Sequence, residues 1–361
     1  MNATLAPETN WPVYGHDWVV RLLQRAIAPI SETNSTPARL GHAYLFTGPP
    51  QVGKTTLARA FAQALLCENP DHAPCGACRS CHLMDHGNHP DFRLIQPLNR
   101  DGEPDREDGL LRVEQAAGII RDVSTSPMEG RYKFFLIQDF QRAHPHFANK
   151  LLKTLEEPPA HVVLALTASD RTSLLPTIVS RCQVFDLRPL DAAAVATALC
   201  ERWNADAAQA ELLARLANGR LGWAVEQQAR PDGLAQRTDE LQTLWRLVEA
   251  NRIERMAFAS SLASNRDNRR LFGMLALWTT WWRDVMLAQA SALDACSNVD
   301  CKPELQRQAD ALKKVDVRRY LETLSRIEGY LHHTVNTRLA LDVLLLQMPS
   351  PMTHRSERSY L

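Results

Sequence analysis

The first half of the chain alternates short, continuous apolar runs, rich in aromatic and β-branched residues, with stretches whose apolar positions recur every three to four residues. Strands are expected at 43–47 (AYLFT), 92–96 (FRLIQ), 134–138 (FFLIQ), 162–167 (VVLALT) and 183–187 (QVFDL). Unbroken apolar runs of this length imply strands covered on both faces. The helices between them include 55–66 and 147–157. The second carries Phe147, Leu151 and Leu155 at intervals of four and is stopped by Pro158-Pro159, because proline cannot continue the hydrogen-bond ladder. This is the signature of a parallel sheet with crossover helices.

Beyond residue 188 the strand pattern disappears, and helical spacing is expected over 191–203, 207–217, 234–262, 267–292, 303–314 and 316–347. The domains follow as an α/β nucleotide-binding unit over 1–188, a small helical segment over 189–235 and a longer helical domain over 236–348. Polar stretches at 31–39 and 99–109 mark loops, and 349–361 reads as a disordered tail. Leu271, Met274, Leu275, Trp278, Trp281, Trp282 and Met286 form a stripe at helical spacing, which is the pattern of packed core rather than of a ligand site.

Composition narrows the function. The 361 residues hold 41 basic and 41 acidic side chains. The balance persists locally, with 19 against 20 in residues 1–190 and 22 against 21 in 191–361. A protein that binds nucleic acid mainly through bulk counterion release is excluded; contact through a local patch or through partners is not. The N-terminus lacks the basic-then-apolar pattern of a secretory signal, and the most apolar segments are short or broken by Arg283 and Asp284. A cytoplasmic protein without membrane contact is expected.

Two local patterns carry chemistry. Gly48-Pro49-Pro50-Gln51-Val52-Gly53-Lys54-Thr55 matches G-x-x-x-x-G-K-[ST] between an expected strand and an expected helix, with Thr56 following in the first helical turn. Such glycines let backbone N–H groups wrap phosphates, Lys54 reaches the β/γ oxygens, and the Thr55 hydroxyl can ligate Mg²⁺. Binding of ATP or ADP is therefore expected. Hydrolysis also needs an acidic pair at the end of another strand. The candidate there is Gln138-Asp139, which lacks the metal-side carboxylate, so hydrolysis is not predicted.

The second pattern is Cys67-x7-Cys75-x2-Cys78-x2-Cys81, four of the eight cysteines. A disulfide framework is a poor explanation in a cytosolic chain, and four closely spaced thiolates suit a structural, closed zinc site. An iron–sulfur cluster, a redox Cys-x-x-Cys pair, or His72, His82 or His86 in place of one cysteine fit the same segment.

With these residues in hand, the chain resembles the AAA+ subunits of bacterial DNA polymerase III clamp loaders. The likeness is carried by 41–67 (GHAYLFTGPPQVGKTTLARAFAQALLC), the four-cysteine insertion, 87–92 (GNHPDF), 151–159 (LLKTLEEPP) and 174–187 (LLPTIVSRCQVFDL). It spans most of residues 11–190. The helical half is matched more loosely, through 277–289 and 336–349. The first gap of the cysteine module is about one residue shorter than the family pattern.

The resemblance implies a fold and several roles. The fold is an α/β P-loop AAA+ domain with an inserted zinc module, followed by an all-α lid and an all-α collar that holds a heteropentamer together. Arg181, in Ser180-Arg181-Cys182, would be an arginine finger acting on a neighbouring subunit's ATP, Thr167 a sensor at a strand end, and Asp139 the remnant of the acidic motif. The implied partners are the delta and gamma/tau subunits, the sliding clamp, and primer–template DNA through the complex. Motor subunits of this family keep Asp-Glu in the acidic motif and Gly-x-x-Arg in the lid. Here these read Gln138-Asp139 and Gly219-Arg220-Leu221-Gly222, with Arg220 displaced onto another helix face. Both departures resemble the delta-prime, stator type of subunit; an ATP-hydrolysing motor of the gamma/tau type is the alternative.

Overall fold

The computed structural model describes residues 11–28, 40–106, 109–230, 232–264, 268–331 and 336–351. The loop expected at 31–39 lies outside them, as does the tail beyond Pro351. They form two compact units. One runs through Ala194 and takes in Gly219–Gly222; the other comprises Val195–Asn218 and the chain from Trp223 onward.

The first unit is built on β1 (Ala43–Thr47), β2 (Phe92–Ile95), β3 (Lys133–Ile137), β4 (Val162–Ala168) and β5 (Gln183–Asp186). All neighbours are parallel, in the order β2-β3-β4-β1-β5. The helices are α1 (Asp17–Ile27), α2 (Lys54–Leu66), α3 (Arg79–Asp85), α4 (Val113–Val123), α5 (Pro145–Glu156) and α6 (Pro176–Val179). This is the parallel sheet with crossover helices that the sequence predicts. Strand ends shift by one or two residues, and α1, α3, α4 and α6 join the two helices read there.

One expectation is corrected. β1, β3 and β4 are buried at every position, whereas β2 and β5 have exposed positions because they are the sheet's edges. Alternate side chains of the inner strands feed two cores. Tyr44, Phe46, Phe134, Leu136, Val163 and Ala165 share one cluster with α1 and α2 residues, and Leu45, Phe135, Ile137, Leu164 and Leu166 share the other with α4 and α5 residues. Phe61 of α2 meets Tyr44 and Phe134 edge-on, at 4.8 and 5.5 Å between ring centres. The register sets Phe46 beside Thr167 and Ile137 beside Leu166, so the chain leaving β1, β3 and β4 converges at one edge of the sheet.

The second unit is helical among the described residues: α7 (Ala192–Trp203, entering from the first unit), α8 (Ala207–Ala217), α9 (Leu221–Ala229), α10 (Gly233–Glu249), α11 (Arg252–Ser264), α12 (Asn268–Gln289), α13 (Lys302–Ala311), α14 (Lys314–Leu331) and α15 (Thr337–Leu346). The single helix expected over 234–262 is two. Asn251 accepts from the N–H groups of Ile253 and Glu254 while Glu254 accepts from the N–H of Asn251, a capping box that starts α11. The helix expected over 316–347 is also two, α14 and α15, the second capped by Asn336. The apolar stripe of α12 is core, with Trp282 edge-on to Tyr320 at 5.2 Å; Met286 is the exception and is exposed. No described helix is long and apolar enough to cross a membrane.

Candidate functional site

The segment 48–53 links β1 to α2. Gly48 and Gly53 have φ of 141° and 102°, and Gln51 has 63°. A Cβ on Gly48 would lie 2.3 Å from the carbonyl oxygen of Leu187, so only glycine fits there. Gly53 is the N-cap of α2 and has no side chain to satisfy the first N–H groups of the helix. A glycine-lined loop ending on an uncapped helix N-terminus fits a phosphate chain. Lys54 is buried, its Nζ donating to the carbonyls of Gly48 and Pro49 at 2.7 Å each. Burial first, against the opposing charge of Asp139 and with the like charge of Arg106, brings its pKa down to about 8. Val52 is buried, and its carbonyl accepts from His16 Nε2 at 3.0 Å. Pro49, Pro50, Gln51 and Thr56 are exposed and Thr55 is half-buried.

The expected acidic motif closes the other side. Gln138 Nε2 donates to Thr55 Oγ1 at 3.1 Å, and Gln138 Oε1 accepts from Gln96 Nε2 at 2.9 Å. A neutral amide therefore stands against the hydroxyl that would ligate a metal. Asp139, at φ 50°, pairs with Arg106 at 2.8 Å, and its N–H donates to the Thr167 hydroxyl at 3.0 Å. The structure thus brings together the loop, Gln138, Asp139 and Thr167. The residues present fit a magnesium site poorly, because such an ion takes a carboxylate besides phosphates and water, and none stands against Thr55 unpaired.

Two contributors, Gln96 and Arg106, were not legible in the sequence, and a third, Gly222, takes a place the sequence does not indicate. Gln96 is positioned by the β2–β3 pairing, and Arg106 by the polar loop after β2, where Leu98 and Leu110 exchange backbone hydrogen bonds. Gly222 donates its N–H to the Gln51 carbonyl at 2.9 Å, and a Cβ there would lie 2.9 Å from that oxygen. The glycine read as replacing a lid arginine therefore sits on the phosphate loop itself. Arg220 precedes α9 rather than occupying another face of it, and burial lowers its pKa.

Arg181 follows α6. Its guanidinium donates to Glu156 Oε1 at 2.7 Å and to the Thr177 carbonyl at 2.8 Å, so the 151–159 and 174–187 stretches meet. Burial pushes the neighbouring Cys182 thiol up to about 12.

The four cysteines of the insertion also converge. Their sulfurs lie within 4.8 Å of one another, with Cys67 to Cys78 at 3.9 Å and Cys75 to Cys81 at 4.0 Å. A tetrahedral ZnS₄ centre with bonds of about 2.3 Å has edges near 3.8 Å, so the donor set fits. Cys67 ends α2, Cys78 caps α3 and Cys81 lies in its first turn. The N–H groups of Asn69, Cys78 and Cys81 donate to sulfurs, as thiolates require. Among the described residues, His72, His82 and His86 are outside this group. Below it, Ser80 donates to the Leu66 carbonyl and meets His89, while Asp91 accepts three N–H bonds from Met128, Glu129 and Gly130. The 87–92 stretch thereby ties the cysteine module to the sheet.

Residues 24–191 match the family described as DNA polymerase III, delta subunit. The chain is 37% identical over 186 residues to the tau subunit of DNA polymerase III from Salmonella typhimurium, covering 51% of this chain and 26% of that protein. It is 27% identical over 313 residues to the delta' subunit of DNA polymerase III from Bacillus subtilis, covering 86% of this chain and 91% of that one. The chain spans about a quarter of the length of the tau subunits it matches. Among solved structures, a DNA polymerase III gamma subunit-related protein from Thermotoga maritima aligns over 91% of this chain and 97% of its own, at 17% identity and a TM-score of 0.45.

Proposed function

We propose that the chain, similar to DNA polymerase III delta and delta' subunits, serves a bacterial DNA polymerase III clamp loader as its non-motor subunit. In this reading it joins delta and gamma/tau subunits in the cytoplasm and helps them place the sliding clamp on primer–template DNA. The division into a nucleotide-binding domain, a lid over 189–235 and a collar over 236–348 belongs to the same proposal. The observation that carries it is the coexistence of a complete phosphate loop with an acidic motif reduced to Gln138 and an arginine-paired Asp139.

Arg181 is the residue that acts on the neighbour. Its always-charged planar fork suits the charge that develops on a transferring phosphoryl group. Glu156 pairs with it at 2.7 Å, with both side chains partly exposed. In a reconstituted loader, Arg181→Ala should leave assembly intact and lower the clamp- and DNA-stimulated ATPase rate at least about a hundredfold, on the scale of other fingers supplied in trans. An unchanged rate would refute the role. Thr167, through the Asp139 N–H, positions the strand ends.

The motor reading draws support from the intact Lys54-Thr55 and the likeness to tau. It requires ATP turnover by the isolated chain that Lys54→Ala and Asp139→Asn abolish; the stator reading requires none. Cys67, Cys75, Cys78 and Cys81 would hold a structural zinc ion, which cross-links the end of α2 to α3. About one zinc per chain, lost in Cys75→Ser, is the expected metal analysis.

A further inference from the structure

The polar loop 99–109 contributes Arg106, and hydrogen bonds hold its described residues in place. Leu98 and Leu110 pair across its base, the Asn99 carboxamide accepts from the N–H groups of Asp101 and Glu103, and the Asp105 N–H donates to the Pro97 carbonyl. These bonds deliver Arg106 to Asp139, close enough to Lys54 for its charge to oppose protonation there.

We infer that this P-loop takes a nucleoside di- or triphosphate without a divalent cation, with Arg106 supplying positive charge at the place where motor subunits would use a metal. The inference rests on the reading of residues 48–56 as a nucleotide site. Its basis is the charge around Thr55. The metal-side position is the uncharged Gln138, locked between Thr55 and Gln96, and Gln96 sits beside the Gln115 side chain, which donates to its carbonyl at 2.9 Å. The second position, Asp139, is neutralised by Arg106. Formal charge on the acidic side therefore sums to zero, so a divalent ion would find uncompensated charge only on the nucleotide itself. Lys54 adds a further cation, so the surroundings attract phosphate while the one carboxylate there is already paired with an arginine. Two hydrogen bonds to loop carbonyls leave the Lys54 ammonium one N–H for a ligand.

The test titrates the full-length chain with ADP carrying a fluorescent ribose label, in MgCl₂ and in EDTA, with Lys54→Ala as the control for the site. The two dissociation constants should agree within about threefold. Magnesium tightening of about tenfold or more would overturn the inference. Loss of binding under both conditions would overturn it too, while leaving the Arg181 experiment to stand or fall separately. Arg106→Ala removes a side chain that is half exposed and should weaken binding in EDTA by about tenfold; an unchanged constant would remove Arg106 from the site. The double change Arg106→Ala with Gln138→Asp should create a magnesium dependence absent from the parent, and its absence would count against the charge argument.

Discussion

Asp139 and Asp284 are both buried carboxylates that face an arginine, yet they do different work. Asp284 lies in α12 with none of its surface exposed, and accepts from the N–H groups of Ser297 and Asn298, the Asn298 carboxamide and the Arg283 guanidinium. Asn298 in turn accepts from Arg237, which also pairs with Asp300. Donors that cannot leave surround this charge, and it fastens the 293–301 segment to the helical core. Asp139 instead sits at a strand end in a left-handed conformation, beside an arginine on a loop and a lysine at the start of α2. The contrast separates a polar group that fixes a fold from one that sets the electrostatics of a site.

The sharpest way to break that contrast is to remove each carboxylate. Asp284→Ala leaves Arg283 and two backbone donors without their partner and should cost about 3–5 kcal/mol, read by urea unfolding followed through the tryptophans packed around α12. Asp139→Asn keeps a side chain that tolerates positive φ and should change stability by less than about 1 kcal/mol. Equal losses at the two positions would erase the distinction.

A second test uses pH. Lys54 has its pKa lowered to about 8, so the free protein loses this proton above that pH, whereas a bound phosphate favours the charged ammonium. Labelled-ADP affinity should fall about tenfold between pH 7 and pH 9, with proton uptake on binding near pH 8. A flat profile would mean that Lys54 stays charged or does not meet the phosphates. A small loss of stability is expected of Gly222→Ala. Its Cβ would press on the backbone of Gln51 and should cost about 1 kcal/mol in a thermal melt.

The legible part of the site was the part written in adjacent residues. The phosphate loop and cysteine cluster are read from spacing, because a few neighbouring peptides dictate the local geometry of a turn at a helix start or of four sulfurs around one point. The inner strands were legible for a related reason, since their apolar runs report burial directly. The edges were less so: Arg93 alone interrupts the apolar run of β2, and the sheet order is what leaves Leu94 exposed beside it.

What needed the tertiary structure was every contribution from a distant partner. Nothing local distinguishes Arg106 from other loop arginines, or Gln96 from a residue closing any strand, until parallel register sets Ile95 beside Ile137. Arg255 shows the same limit in the helical unit. It reads as a surface helix residue, yet it is buried and donates to the Leu247, Val248 and Met348 carbonyls, satisfying the ends of α10 and α15. The sequence alone determined that this chain has a phosphate loop, a four-cysteine site and a weakened acidic motif, since each is a matter of residue type at short range. The tertiary structure decided the charge those motifs experience, because electrostatics depends on which groups share a buried volume, and chain packing chooses them.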